Sequence, residues 1–121
     1  MTIDPSKLRV ALLGYGEVGR ILAEDLRARG VARVTAYDAK LGGGEDAALR
    51  EHAVRHGVEL VASHVALAGG AELIVSAVTA SQTVPAATAC APSVQKGAWY
   101  LDFNSASPAA KQRAAAAIDG A

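Results

Sequence analysis

A single cysteine, Cys90, stands in 121 residues, so no disulfide can form within the chain. That scarcity fits a reducing compartment. Cys90 sits in an apolar helical stretch, residues 86–91, with no histidine nearby in sequence, and reads as buried filler rather than a nucleophile. An excess of one charge is missing as well: Lys and Arg number 12, Asp and Glu 12, and the formal net charge is zero. Without a basic stripe or cluster, neither nucleic acid nor an anionic membrane surface is an expected partner. The opening Met1-Thr2-Ile3-Asp4-Pro5 lacks a basic region and a long apolar stretch, so no signal peptide or membrane anchor is expected and a cytoplasmic address follows. Gly42-Gly43-Gly44 lacks the Lys and Ser or Thr of a Walker loop and reads as a flexible connector. No Ser/His/Asp arrangement is specified, and Ser63-His64 reads as a loop dipeptide. His52 and His56, four apart, share a helix face at zinc-ligand spacing. Yet no Glu is adjacent, no third ligand follows at a recognisable interval, and His64 lies beyond a strand, so solvated histidines and no metal are expected.

What is present is the balance of a soluble globular chain, 51% hydrophobic and 20% charged. At this length the chain is one domain, spanning residues 1–121, able to bury about two thirds of its unfolded surface.

The most informative segment comes early. An apolar run over residues 8–13 leads into Gly14-Tyr15-Gly16-Glu17-Val18-Gly19 and then into an amphipathic helical pattern. In that setting GxGxxG is a dinucleotide-binding fingerprint: Gly14 permits the tight turn, Gly16 lets the backbone approach a pyrophosphate, and Gly19 lets the helix sit close on the sheet. The helix offers unpaired N–H groups and its positive dipole end to the phosphates, so no basic side chain is needed, and none stands between Gly14 and Gly19. Val18, Ile21, Leu22 and Leu26 fall on one helix face, and Gly30 ends the segment as a C-cap glycine would. A second strand runs from residue 31 or 33 to Asp38, nineteen residues beyond Gly19. An acid there accepts hydrogen bonds from the adenosine ribose and repels a 2′-phosphate, which favours NAD over NADP; nearby Lys40 softens that preference.

The rest of the chain alternates strand and helix: a helix over residues 45–56, a short strand over 58–62, at most one helical turn over 65–68, and an apolar strand over 73–78. A partly helical segment over 79–94 follows, with Pro85 best placed in its first turn, then a strand over 99–103. Ser107-Pro108 then opens an alanine-rich helix as N-cap and N1. Such alternation implies an α/β doubly wound, Rossmann-type parallel sheet of order 3-2-1-4-5, with the ligand crevice where the order reverses. Residues 14–19, Asp38, Val78-Thr79 and Asn104-Ser105 then surround one cleft. A helix start explains Thr79 nearly as well, and Ser107 reads as a cap; Asn104 and Ser105 have the alternative of bonding local backbone, but polar groups at strand carboxyl ends line the crevice in this fold, so Asn104 reads as functional.

Taken together, Gly14-Tyr15-Gly16-Glu17-Val18-Gly19, Tyr37-Asp38, Ser76-Ala77-Val78-Thr79 and Asp102-Phe103-Asn104-Ser105-Ala106-Ser107-Pro108 resemble the cofactor domain of the 6-phosphogluconate dehydrogenase-like and 3-hydroxyacid dehydrogenase superfamily over nearly the full chain. The resemblance implies hydride transfer between a nicotinamide and a hydroxyacid carbinol carbon. It also implies cofactor contacts from Gly14, Tyr15, Gly16, Glu17, Val18, Gly19, Asp38, Val78 and Thr79, and substrate contacts from Asn104 and Ser105. Hydroxyacid members have Ser-Thr at this last place, and phosphogluconate enzymes have Asn-Ser after two glycines, where this chain has Asp102-Phe103. The family's catalytic lysine belongs to a second, helical domain, and Lys111 lies on the wrong helix to replace it. The expectation is therefore the N-terminal part of a two-domain dehydrogenase, inactive alone and a homo-oligomer when full-length. Two other readings compete: a nucleotide-sensing, ligand-gating module, which would lack the Asp-x-Asn-Ser-x-Ser-Pro ending, and a free-standing domain that has lost its catalytic half.

Overall fold

The computed structural model describes residues 4–44 and 46–119, so Glu45, the expected first residue of the second helix, lies outside the described residues. Five strands form one parallel sheet: β1 (Arg9–Leu13), β2 (Arg33–Tyr37), β3 (Glu59–Leu60), β4 (Leu73–Ser76) and β5 (Trp99–Asp102). Their order is β3-β2-β1-β4-β5, as the alternation implied. Helices α1 (Glu17–Ala28), α2 (Asp46–His56), α3 (His64–Ala68), α4 (Thr83–Cys90) and α5 (Pro108–Asp119) occupy the connections.

The central strand explains the sheet's hydrophobicity. Val10, Ala11, Leu12 and Leu13 are all at most 1% exposed, because a parallel strand between two helical layers has no wet face. Val10 and Leu12 join Val34, Ala36 and Val75 under Ala23 of α1 and Leu49 and Ala53 of α2. Ala11, Leu13 and Ile74 face the opposite layer, against Leu67, Ala68, Ala86 and Cys90. Cys90 is fully buried there, and burial pushes its thiol up to about 11, so it is inert filler.

Local chemistry sets the helix ends. The Ser107 hydroxyl accepts the Ala110 N–H at 3.1 Å, and the Ser63 hydroxyl accepts that of Ala66 at 3.1 Å, so Ser63-His64 is a capped helix start and not a loop dipeptide. Arg27 ties the end of α1 to its surroundings by donating to the carbonyls of His56, Val31 and Ala32 at 3.0, 2.9 and 3.0 Å.

One expectation about α1 is corrected. Its buried residues are Gly19 and Ala23, with Leu22 and Leu26 half-buried, whereas Val18 and Ile21 are 52% and 57% exposed. Two small residues let the helix lie close to the sheet, and that narrows the contact stripe and leaves its flank outside. Edge strand β5 also keeps Trp99 and Leu101 exposed, and Phe103 just beyond it is exposed too; Trp99 and Leu101 pair with Leu73 and Val75 and continue the α1 side of the sheet.

Candidate functional site: the opening strand-turn-helix corner

At the carboxyl end of β1 the chain turns through Gly14 at φ +103, a conformation that L side chains rarely adopt. Space closes the position further, since a Cβ on Gly14 would lie 2.3 Å from the Ala77 carbonyl oxygen. One on Gly19 would lie 2.2 Å from that of Gly14, so the first turn of α1 rests directly on the loop. At Gly16 the situation is reversed, with nothing within 4 Å of a Cβ. The loop is therefore dense beneath and open above. Gly16 is also the N-cap of α1 and supplies no side-chain cap, so the first-turn amides face outward for an anion to accept from. Glu17 and Val18 lie in that turn with exposed side chains.

Tyr15 divides its roles between backbone and side chain. Its ring is fully buried in the α1/α2 layer, with the hydroxyl 2.5 Å from His52 Nδ1, so the side chain does not line the cleft. That backbone N–H donates to Asp38 Oδ2 at 2.7 Å, and the Lys40 N–H donates to Oδ1 at 2.8 Å. Asp38 thus braces the glycine loop from the end of β2. Each carboxylate oxygen has a second lone pair, so the brace leaves acceptor capacity for a pair of sugar hydroxyls.

Gly14, Gly16, Asp38, Val78 and Thr79 line one cavity of about 240 Å³ at the carboxyl ends of the strands, which is where doubly wound sheets bind ligands. A cavity of about 350 Å³ bordered by Arg9, Arg33 and Glu59 opens toward the start of the strands, away from the glycine loop. Thr79 precedes a short 3-10 turn, Ala80–Gln82, its hydroxyl 3.4 Å from that of Ser81.

Asn104 and Ser105 divide in the same way as backbone and side chain did at Tyr15. Asn104 is buried, its side-chain oxygen accepting the Val78 N–H at 2.7 Å and its Nδ2 donating to Ser76 Oγ at 3.0 Å. It therefore stitches the segment after β5 to the end of β4 and holds Val78 against the cavity. Ser105 is exposed beside it. Lys111 stands on α5 with Nζ 3.8 Å from Asp102 Oδ1, outside the cavity lining.

The sequence reading missed two aromatic rings in the wall. Tyr37 and His64 line the cavity with centroids 4.6 Å apart and planes tilted by 55°, and burial holds the His64 imidazole below its ordinary pKa. His64 could have been found from Ser63-x-x-Ala66 as a helix cap, which would have put it on a helix start facing β2. Tyr37 had only its place next to Asp38 as a signal.

The family model of the NAD-binding domain of 6-phosphogluconate dehydrogenase matches residues 9–121. Among solved structures, a conserved hypothetical protein from Sinorhizobium meliloti 1021 is 32% identical with a TM-score of 0.86, covering 93% of this chain and 38% of its own. Conserved protein MTH1747, of unknown function and described as structurally similar to 3-hydroxyacid dehydrogenases, is 30% identical with a TM-score of 0.76, at 93% and 40% coverage. Mycobacterium tuberculosis 3-hydroxyisobutyrate dehydrogenase shares the fold at 18% identity, with a TM-score of 0.80 and 93% and 37% coverage. This chain thus spans about two fifths of the length of each. A search of curated proteins found no significant match. No helix among the described residues is long and apolar enough to cross a membrane. A glycine loop braced by a strand-end carboxylate, on a sheet of this order and under a family model that covers all but the first eight residues, makes the chain a member of the family of 6-phosphogluconate dehydrogenase NAD-binding domains.

Proposed function

We propose that this chain is the cofactor half of a dehydrogenase that moves hydride between a nicotinamide and a hydroxyacid-type substrate, and that it binds NAD in preference to NADP. The observation that carries this reading is the Asp38 brace: one carboxylate fixes the Tyr15 amide at 2.7 Å and lines the cavity over Gly16. In this reading the first-turn amides of α1, at Glu17, Val18 and Gly19, receive the diphosphate. Asp38 holds the adenosine ribose, and its charge disfavours a 2′-phosphate. Val78 and Thr79 support the cofactor from the end of β4, while Tyr37 and His64 offer ring faces to the adenine. When bound, the dinucleotide supplies the hydride acceptor or donor. The protein's share here is binding and orientation. In this reading the exposed Ser105 contacts substrate, and Asn104 acts by positioning Val78.

A lysine from a further domain would complete the proton transfer, so the 121-residue chain alone is expected to bind without turnover, in the cytoplasm, and to oligomerise chiefly through the rest of a longer protein. Calorimetric titration with NAD, NADP and ADP-ribose tests the proposal. NAD should bind more tightly than NADP, and Asp38→Ala should weaken NAD by roughly 10- to 100-fold, from the loss of one or two hydrogen bonds to a charged acceptor. Tighter NADP binding, or an unchanged preference in Asp38→Ala, overturns the role of Asp38. Equal binding of ADP-ribose and NAD would instead favour a nucleotide-sensing module.

A further inference from the structure

The tertiary fold supplies what the spacing of His52 and His56 lacked. Glu24 of α1 reaches across to α2, with Oε2 3.4 Å from His52 Nε2 and Oε1 3.6 Å from His56 Nε2. The two imidazoles stand over one another, centroids 4.3 Å apart with planes 34° from parallel, and one ligand atom from each residue lies within 4.8 Å of the other two. Three donors around a first-row divalent ion, each about 2.1 Å from it, would stand about 3.4 Å apart, so the cluster needs only a small contraction. His52 Nε2 is shielded from solvent and makes no hydrogen bond of good geometry, with the Glu24 carboxylate 3.4 Å away. Its other nitrogen, Nδ1, is engaged by the buried Tyr15 hydroxyl. That is the arrangement of a metal-binding histidine, with one nitrogen oriented by a protein partner and the other left for the ion. None of the three residues lines the cofactor cavity.

From this geometry we infer that Glu24, His52 and His56 form a binding site for a divalent transition-metal ion of the zinc class, on the outer face of the α1/α2 pair and separate from the nucleotide cleft. Two imidazoles and one carboxylate are a borderline donor set suited to Zn²⁺, Co²⁺ or Ni²⁺, with water completing the coordination. Tyr15 extends the arrangement inward: its hydroxyl orients His52 and its backbone N–H is the one Asp38 holds, so an ion here would sit two residues' contacts from the glycine loop.

The test is titration of the tag-free chain with ZnCl₂ by calorimetry and with CoCl₂ by visible absorption. One equivalent should bind saturably, Co²⁺ should develop ligand-field bands that Zn²⁺ displaces, and Glu24→Gln and His56→Ala should each weaken binding at least tenfold. His64→Gln and Cys90→Ser should leave it unchanged. Far-UV circular dichroism checks that each variant is folded. On the unmodified chain, histidine ring NMR signals give an answer independent of any variant: Zn²⁺ must shift those of His52 and His56 and spare His64. Absence of saturable binding, affinity unchanged in both folded variants, or shifts confined to His64 overturns the inference.

Discussion

Replacing Asn104 by Ala removes two hydrogen bonds from a site with almost no solvent. The Val78 N–H loses its acceptor at 2.7 Å and Ser76 Oγ its donor at 3.0 Å, while Asn104 is 5% and Ser76 0% exposed. A buried N–H left without a partner costs about 1–3 kcal/mol, and the lost Ser76 bond about 1 kcal/mol. The variant should therefore be about 2–4 kcal/mol less stable. For a domain of this size that lowers the melting temperature by about 10 °C, with the denaturant midpoint reduced and the slope unchanged. Because Val78 lines the cavity, affinity for the dinucleotide should fall too. Ser105→Ala is the internal control: the side chain is exposed and its removal should cost no more than about 0.5 kcal/mol. Thermal unfolding by circular dichroism, urea unfolding and calorimetry on the same preparations decide the matter. If Asn104→Ala matches the parent in both stability and cofactor affinity, the stitching role is wrong and a contact with substrate is the better account of the residue.

Gly14→Ala and Gly19→Ala each force a Cβ to within 2.3 or 2.2 Å of a backbone carbonyl oxygen, and the first also strains φ, so both should lose cofactor binding and at least about 3 kcal/mol of stability, read by calorimetry and urea midpoint. Arg27→Lys keeps the charge but cannot span three carbonyls, and it should lower stability by about 1–3 kcal/mol; a parental urea midpoint would show the clamp to be idle. His64 is held below its ordinary pKa by burial, so the unfolded chain binds its proton more readily than the folded one. Its contribution to stability is then present above about pH 6.5 and is lost as pH falls below it. In urea melts from pH 7.5 to 5, His64→Gln should flatten part of that decline, and an unaltered profile would remove His64 as its source. Tyr15→Phe should cost about 1 kcal/mol by leaving the half-buried His52 Nδ1 without its partner, measurable in the same melts.

Much of the fold was legible because it rests on local signals that repeat. Apolar runs too short for helices, glycines at the ends of helical patterns, and Ser-Pro at the head of α5 mark the alternation of strand and helix, and alternation at this length leaves few arrangements besides a doubly wound sheet. The glycine loop and Asp38 were legible for the same reason: spacing along the chain fixes where a strand-turn-helix corner and the next strand end must lie. Finer features were not. Val18 and Ile21 share the helical period of Leu22, but which flank of α1 faces the sheet depended on how closely Gly19 and Ala23 let it approach. Whether Asn104 turns to the cleft or to Val78 depended on the end of β4 lying beside it, 26 residues earlier in the chain.

The amino-acid sequence alone determined the class of fold, the strand order and the position of the glycine-rich strand-turn-helix corner, since each follows from backbone geometry that neighbouring residues impose on one another. Tertiary structure decided what the side chains do with that frame. It turned Tyr15 inward, made Asp38 a brace, set His64 in the cleft wall and brought Glu24 to His52 and His56. Those outcomes rest on contacts between elements far apart in sequence, where direction and distance are set by packing and no spacing rule encodes them.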